Sequence, residues 1–163
     1  MRVAFYTPHM CLRGTTVALF DYAKYNEIIL GNESYIFTDQ QHDFHDPTVF
    51  EKFETQFPGR VVRVANEESL DPAIVAEKID AVYIIKPGRR SKRMASACKT
   101  LIHVIGPTPP SEKHGDVWAY ASHWLNNHCA DGKEPVVPYM IETPVDTKTN
   151  LRKELGIPDD AIV

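Results

Sequence analysis

The chain of 163 residues carries a formal net charge of −4 with 43% hydrophobic content. That is enough apolar material for one good core, and the ordinary charge gives no reason to expect a nucleic-acid partner. No apolar run approaches the roughly 20 residues that span a bilayer, and Arg2 and Thr7 break any signal-peptide layout. Three distant cysteines (Cys11, Cys98, Cys129) without a CxxC pair predict reduced thiols and a cytoplasmic location.

In chain order, Arg2–Thr7 is a continuous apolar run, as expected of a parallel strand covered on both faces. A sharp loop follows over Pro8–Gly14, and a helix opens at Thr15 or Thr16, whose hydroxyl can cap it. Gly14 allows a backbone conformation or a close approach that a side chain would block. The helix keeps Val17, Leu19, Phe20, Ala23 and Tyr22 for packing, turns Asp21 and Lys24 to solvent, and stops at Gly31-Asn32. Ser34–Thr38 reads as a second strand, Gln40–Pro47 as a polar loop, and Thr48–Phe57 as a helix ended by Pro58-Gly59.

Arg60–Ala65 is a third strand, followed by a helix over Pro72–Ile79 capped by Ser69 or Asp71. Ala81–Ile85 is the fourth strand, Ser91–Lys99 a short basic helix, and Leu101–Ile105 the fifth strand. Gly106–Gly115 holds too many prolines to be regular. Val117–Ala121 is a sixth strand, Ser122–Cys129 a helix, and Val136–Ile141 a seventh strand broken by Pro138. Strands alternating with helices predict an α/β, Rossmann-like, doubly wound and mostly parallel sheet of about seven strands, with helices on both faces. Residues 1–142 form that domain. Residues 143–163 read as a linker, an amphipathic helix over Lys148–Leu155 and the start of a strand that opens a further domain.

The segment Val136–Val163, VVPYMIETPVDTKTNLRKELGIPDDAIV, resembles the connector of glycogen-synthase-like, retaining nucleotide-sugar glycosyltransferases. There a strand and an NPVD-like turn lead to LRxELGIPxDxxV, and the donor-binding domain follows. Leu12-Arg13-Gly14-Thr15-Thr16 ahead of Val17–Ala23 is similar to the glycine loop of their N-terminal domain, with one glycine where the fuller pattern has two. Asp116–Leu125, DVWAYASHWL, resembles their strand-to-helix turn. The resemblance implies the N-terminal, acceptor-side half of a GT-B fold. It also implies transfer from a UDP- or GDP-sugar to a glycan or other hydroxyl acceptor, in a cleft completed by a C-terminal domain, with no separate cofactor.

Arg13, Gly14, Thr15 and Thr16 are then candidates for the donor phosphates, because a helix N-terminus after the first strand attracts anions. Lys86, Arg89 and Arg90 follow the fourth strand and suit an anionic acceptor or the pyrophosphate. His9, His103, His114 and Asp116 are candidates for activating the acceptor or contacting sugar. The plainer readings of the same residues are a capped turn, a solvated basic face and a hydrogen-bonded core histidine. His42-Asp43-Phe44-His45-Asp46 and the His123/His128 pair have metal-ligand residue types without metal-site spacing, so no metal is expected. The alternative function is a non-catalytic, small-molecule-binding doubly wound domain. A dinucleotide oxidoreductase lacks G-x-G-x-x-G and a clearly matching acidic residue at the end of the second strand, although Asp39 could serve.

Overall fold

The computed structural model describes residues 1–65, 70–90, 95–140, 150–158 and 160–161. Six strands form one all-parallel sheet: β1 (Arg2–Thr7), β2 (Glu33–Asp39), β3 (Val61–Val64), β4 (Ala81–Lys86), β5 (Lys99–Val104) and β6 (Val117–Tyr120). Their order across the sheet is β3-β2-β1-β4-β5-β6. The chain winds outward from β1 to β3, then returns to the other side of β1 through β4. The connections therefore diverge at the carboxyl ends of β1 and β4, and a crevice must open there.

Because successive side chains alternate across a strand, each strand feeds two cores. On one face Val3, Phe5 and Ile36 meet Leu19, Phe20 and Ala23 of α1 (Gly14–Leu30) and Val49 and Phe53 of α2 (Pro47–Gln56). On the other, Ala4, Phe37, Ile84, Val104 and Trp118 meet Leu70 and Ile74 of α3 (Leu70–Glu77) and Leu125 of α4 (His123–Ala130). Burial on both faces is why the strands read as unbroken apolar runs.

Local chemistry sets the helix ends. Gly31 stops α1 in the left-handed region at φ 64°, its N–H donating to the Glu27 carbonyl while Asn32 N–H donates to the Asn26 carbonyl. Asp46 accepts from Thr48 N at the start of α2, and Ser122 Oγ from Leu125 N at the start of α4. Buried Asn26 is satisfied by donating to Ser34 Oγ (2.8 Å), which in turn donates to the Ala23 carbonyl (2.7 Å). All three cysteines are unpaired, and among the described residues no helix is long and apolar enough to cross a membrane.

Three expectations need correction. The seventh strand reduces to a single parallel bridge between Val136 and Tyr120, after which Pro138, Tyr139 and Met140 leave the sheet edge and pack toward α1. Pro138 cannot donate to a ladder, which fits this early end. The basic helix over Ser91–Lys99 is not helical in its described part. Asp71 accepts there from Ser96 N (2.8 Å) and Ala97 N (3.1 Å), and Lys99 already belongs to β5. Asp71 thus holds this segment from within the first turn of α3. Finally, α5 (Leu151–Glu154) is shorter than the expected helix over Lys148–Leu155. Ser69, Lys92, Arg93, the 143–147 linker and residues 159, 162 and 163 lie outside the described residues.

Candidate functional site

A cleft of about 900 Å³ opens at the β1/β4 crevice. The β1–α1 turn supplies Thr7, His9, Arg13, Gly14 and Thr15. One stripe of α1 continues the wall with Val17, Ala18 and Asp21, residues that share a face at helical spacing. The strand ends add Ile84, Ile85, Lys86 and Ile105, and Tyr139 with Met140 closes a side. Asp21 therefore faces the cleft instead of bulk solvent.

The first turn of α1 departs from the sequence expectation. The N-cap is Arg13, whose side chain makes no capping hydrogen bond, and neither Thr15 nor Thr16 takes that place. Thr16 is buried, 1% exposed, with its hydroxyl 3.8 Å from Cys11 Sγ. Gly14 has no left-handed φ, and a Cβ added to it would meet nothing within 4 Å. Nothing inside the fold requires glycine at this position.

Arg13 lies over Phe44, its guanidinium carbon 4.7 Å from the ring centre, and its Nη1 donates to His9 Nε2 at 3.3 Å. A guanidinium only donates, so Nε2 accepts and His9 is neutral, with Nδ1 placed 3.7 Å from Cys11 Sγ. Burial pushes the His9 pKa down, a hydrogen bond to its own backbone opposes this, and His42 and Arg13 add to the depression. The histidines after β2 brace the turn. His45 Nδ1 accepts from Met10 N (3.1 Å) while Nε2 donates to the Asp39 carbonyl (2.9 Å), and His42 stacks edge-on against His9. Among the described residues no group of three or more His, Cys, Asp or Glu converges on a metal-sized site. The Asp39 carboxylate accepts from Tyr6 OH at 2.8 Å.

The remaining predicted residues scatter. Lys86 lines the cleft, and its Nζ donates to His114 Nε2 at 3.2 Å; His114 Nδ1 donates to the Glu112 carbonyl at 2.7 Å. His114 is buried against Trp118, and that burial, with Lys86 and Arg90 nearby, lowers its pKa. Arg89 is exposed and does not line the cleft. Arg90 secures the turn before β6, with its backbone N on Glu112 Oε2 (3.0 Å) and Nη2 on the Lys113 carbonyl (2.9 Å). Asp116 sits at the opposite, amino-terminal edge of the sheet. It accepts there from Thr100 N and Lys99 Nζ, which hold its carboxyl below the usual range.

His103 is a core residue, 1% exposed, with Nδ1 2.5 Å from Tyr83 OH and the rings of Tyr22 and Tyr139 at 5.5 and 5.7 Å. Burial lowers its pKa to about 4, so it is neutral near pH 7. The structure thus brings His9, Arg13, Gly14, Thr15 and Lys86 to one cleft and leaves Thr16, His103, His114, Asp116, Arg89 and Arg90 outside its lining. Sequence reasoning missed Tyr139 and Met140, which were hidden inside an expected strand. It also missed Asp21, which the helical spacing from Gly14 and Val17 could have revealed.

No protein-family model matches the chain, and no curated protein does. The fold is similar to the crystal structure of a glycosyltransferase from Rickettsia africae ESF-5, with a TM-score of 0.59 and 11% identity. That match covers 98% of this chain and 50% of the other, so the chain spans about half the length of the solved structure. AviGT4, a glycosyltransferase involved in avilamycin A biosynthesis, matches with a TM-score of 0.48 and 14% identity, over 87% of this chain and 42% of its own. The fold is glycosyltransferase-like.

Proposed function

We propose that the chain is the acceptor-side half of a GT-B glycosyltransferase. It would act on a UDP- or GDP-sugar and a hydroxyl acceptor, in a cleft shared with a second, donor-binding domain. One observation carries the reading: the amino-terminal turn of α1 faces the cleft without a side-chain cap, beside Arg13 and an empty Cβ position at Gly14. Free helix N–H groups, a guanidinium and room for close approach together suit a diphosphate. The fold likeness to half of a solved glycosyltransferase supports the two-domain part.

In such a transfer the bond between the anomeric carbon and the diphosphate oxygen breaks, and a bond from the acceptor oxygen forms. The acceptor hydroxyl gives up its proton, and negative charge grows on the departing diphosphate. Arg13 and the α1 N–H groups are placed to stabilise that charge. His9, neutral and in the cleft, is placed to take the proton once Arg13 turns to the phosphate. Half a cleft leaves the reacting atoms unpositioned, so this chain alone should turn over poorly.

Calorimetric or NMR titration of the 163-residue chain with UDP, GDP and uridine tests the reading. The expected result is millimolar-range binding of the diphosphates, weaker binding of uridine, and at least a fivefold loss in Arg13→Ala and Gly14→Val. Equal binding of UDP and uridine removes the phosphate contact. Micromolar or tighter binding means that the chain carries a complete nucleotide site and needs no second domain.

A further inference from the structure

Beyond the turn that carries Arg13, the cleft changes character. Its middle is walled by the α1 stripe and by the ends of β4 and β5, where Val17, Ala18, Ile84, Ile85 and Ile105 are aliphatic and Asp21 and Lys86 are the charged members. Val17 is 49% exposed, on a helix face where a solvent-facing residue would ordinarily be polar. Lys86 keeps its positive charge, and its Nζ donates to His114 Nε2. The volume of about 900 Å³ falls in the range of small-molecule sites, roughly 300–1,000 Å³. A free oligosaccharide would press hydroxyls against walls with few partners, leaving them desolvated and unpaired. A molecule with an aliphatic or aromatic body and one polar end meets no such penalty and removes apolar surface from water.

We propose that the cleft takes an amphiphilic acceptor. Its apolar body lies on Val17, Ala18, Ile84, Ile85, Ile105 and Met140, and its hydroxyl-bearing end lies at the His9–Arg13 turn. The assignment of that end as the one to be glycosylated rests on the function proposed above; the binding of an amphiphile does not.

The probes are octyl glucoside below its micelle concentration and maltotriose, followed through the methyl signals of the intact chain. Octyl glucoside is expected to shift the Val17, Ile84, Ile85, Ile105 and Met140 methyls saturably, while maltotriose at the same concentration leaves them in place. Val17→Asp, a change at a half-exposed site, should weaken the octyl glucoside response at least tenfold without unfolding the chain. The proposal is overturned if maltotriose shifts the same methyls as strongly, or if neither probe shifts them. It is equally overturned if the octyl glucoside shifts are confined to Ile28, Ile29 and Leu30, the exposed apolar end of α1. A UDP titration on the same sample separates the two readings. Loss of the UDP response with the octyl glucoside response intact sinks the transferase reading alone, and the reverse sinks only the amphiphile.

Discussion

Two glycines show how differently one residue type can be used. At Gly88 the backbone has φ 114°, and an added Cβ would come within 2.7 Å of Thr108 Oγ1 and Val104 Cγ1. Thr108 also donates to the Pro87 carbonyl at 2.8 Å, and a Cβ at Gly106 would strike that same carbonyl at 2.7 Å. The two loops at the carboxyl ends of β4 and β5 are held close together beside the cleft, the Thr108 side chain on the Pro87 backbone. Gly14 has neither constraint. Gly88→Ala should therefore cost about 2–3 kcal/mol from φ strain and overpacking. Gly14→Ala should leave stability within about 0.5 kcal/mol, because it sits in open space at a helix start. Urea denaturation of both variants checks the contrast, and equal losses would mean that Gly14 is a structural glycine after all.

Among the elements, α4 owes its effect to how it ends. Asn126 is buried, 4% exposed, and its side-chain amide copies a strand neighbour: Nδ2 donates to the Glu134 carbonyl (2.6 Å) and Oδ1 accepts from Glu134 N (3.1 Å). This pair turns the chain back so that Val136 can bridge Tyr120 and Tyr139 can reach the cleft. Asn126→Ala should cost about 1–3 kcal/mol, since Glu134 loses both backbone partners in a part-buried place. The loss should also disturb the Tyr139 and Met140 signals, which distinguishes a failed return from a general loss of helix. A variant with normal stability and an undisturbed Tyr139 would show that the bridge forms without the clamp.

At the scale of the whole molecule, His103 links the sheet, α1 and the returning segment. The groups facing it are Tyr83 from β4, Tyr22 from α1 and Tyr139; Tyr22 OH also donates to the Pro138 carbonyl at 2.6 Å. Its pKa is about 4 in the fold against an ordinary value of 6.5. The unfolded chain therefore binds the proton more readily, so stability is full above about pH 6.5 and falls as pH drops toward 4. The contribution is at most about 3 kcal/mol. Denaturant titrations of the native chain and of His103→Gln between pH 7 and pH 4 should diverge, with the native chain losing more. Parallel curves would mean that His103 titrates like an exposed imidazole. His9 and His114, also shifted down by burial, act in the same direction in both proteins and cancel in the comparison.

The sequence alone determined the parallel doubly wound sheet, because residues buried on both faces must be apolar in unbroken runs, and Gly31 marks the end of α1 by local chemistry. It also pointed to the β1–α1 turn as the candidate site, since the first crossover of such a sheet leaves helix N–H groups at the strand end. Only the tertiary structure decided which polar residues share the cleft. His103 and Asp116 are candidates by residue type, yet one is walled in by three tyrosines and the other lies on the far sheet edge. Strand edge and sheet face are set by register and by long-range partners, which short-range residue patterns do not encode. For the same reason the apolar character of the cleft emerged only when the α1 stripe, the β4 and β5 ends and the returning Tyr139–Met140 came together in space.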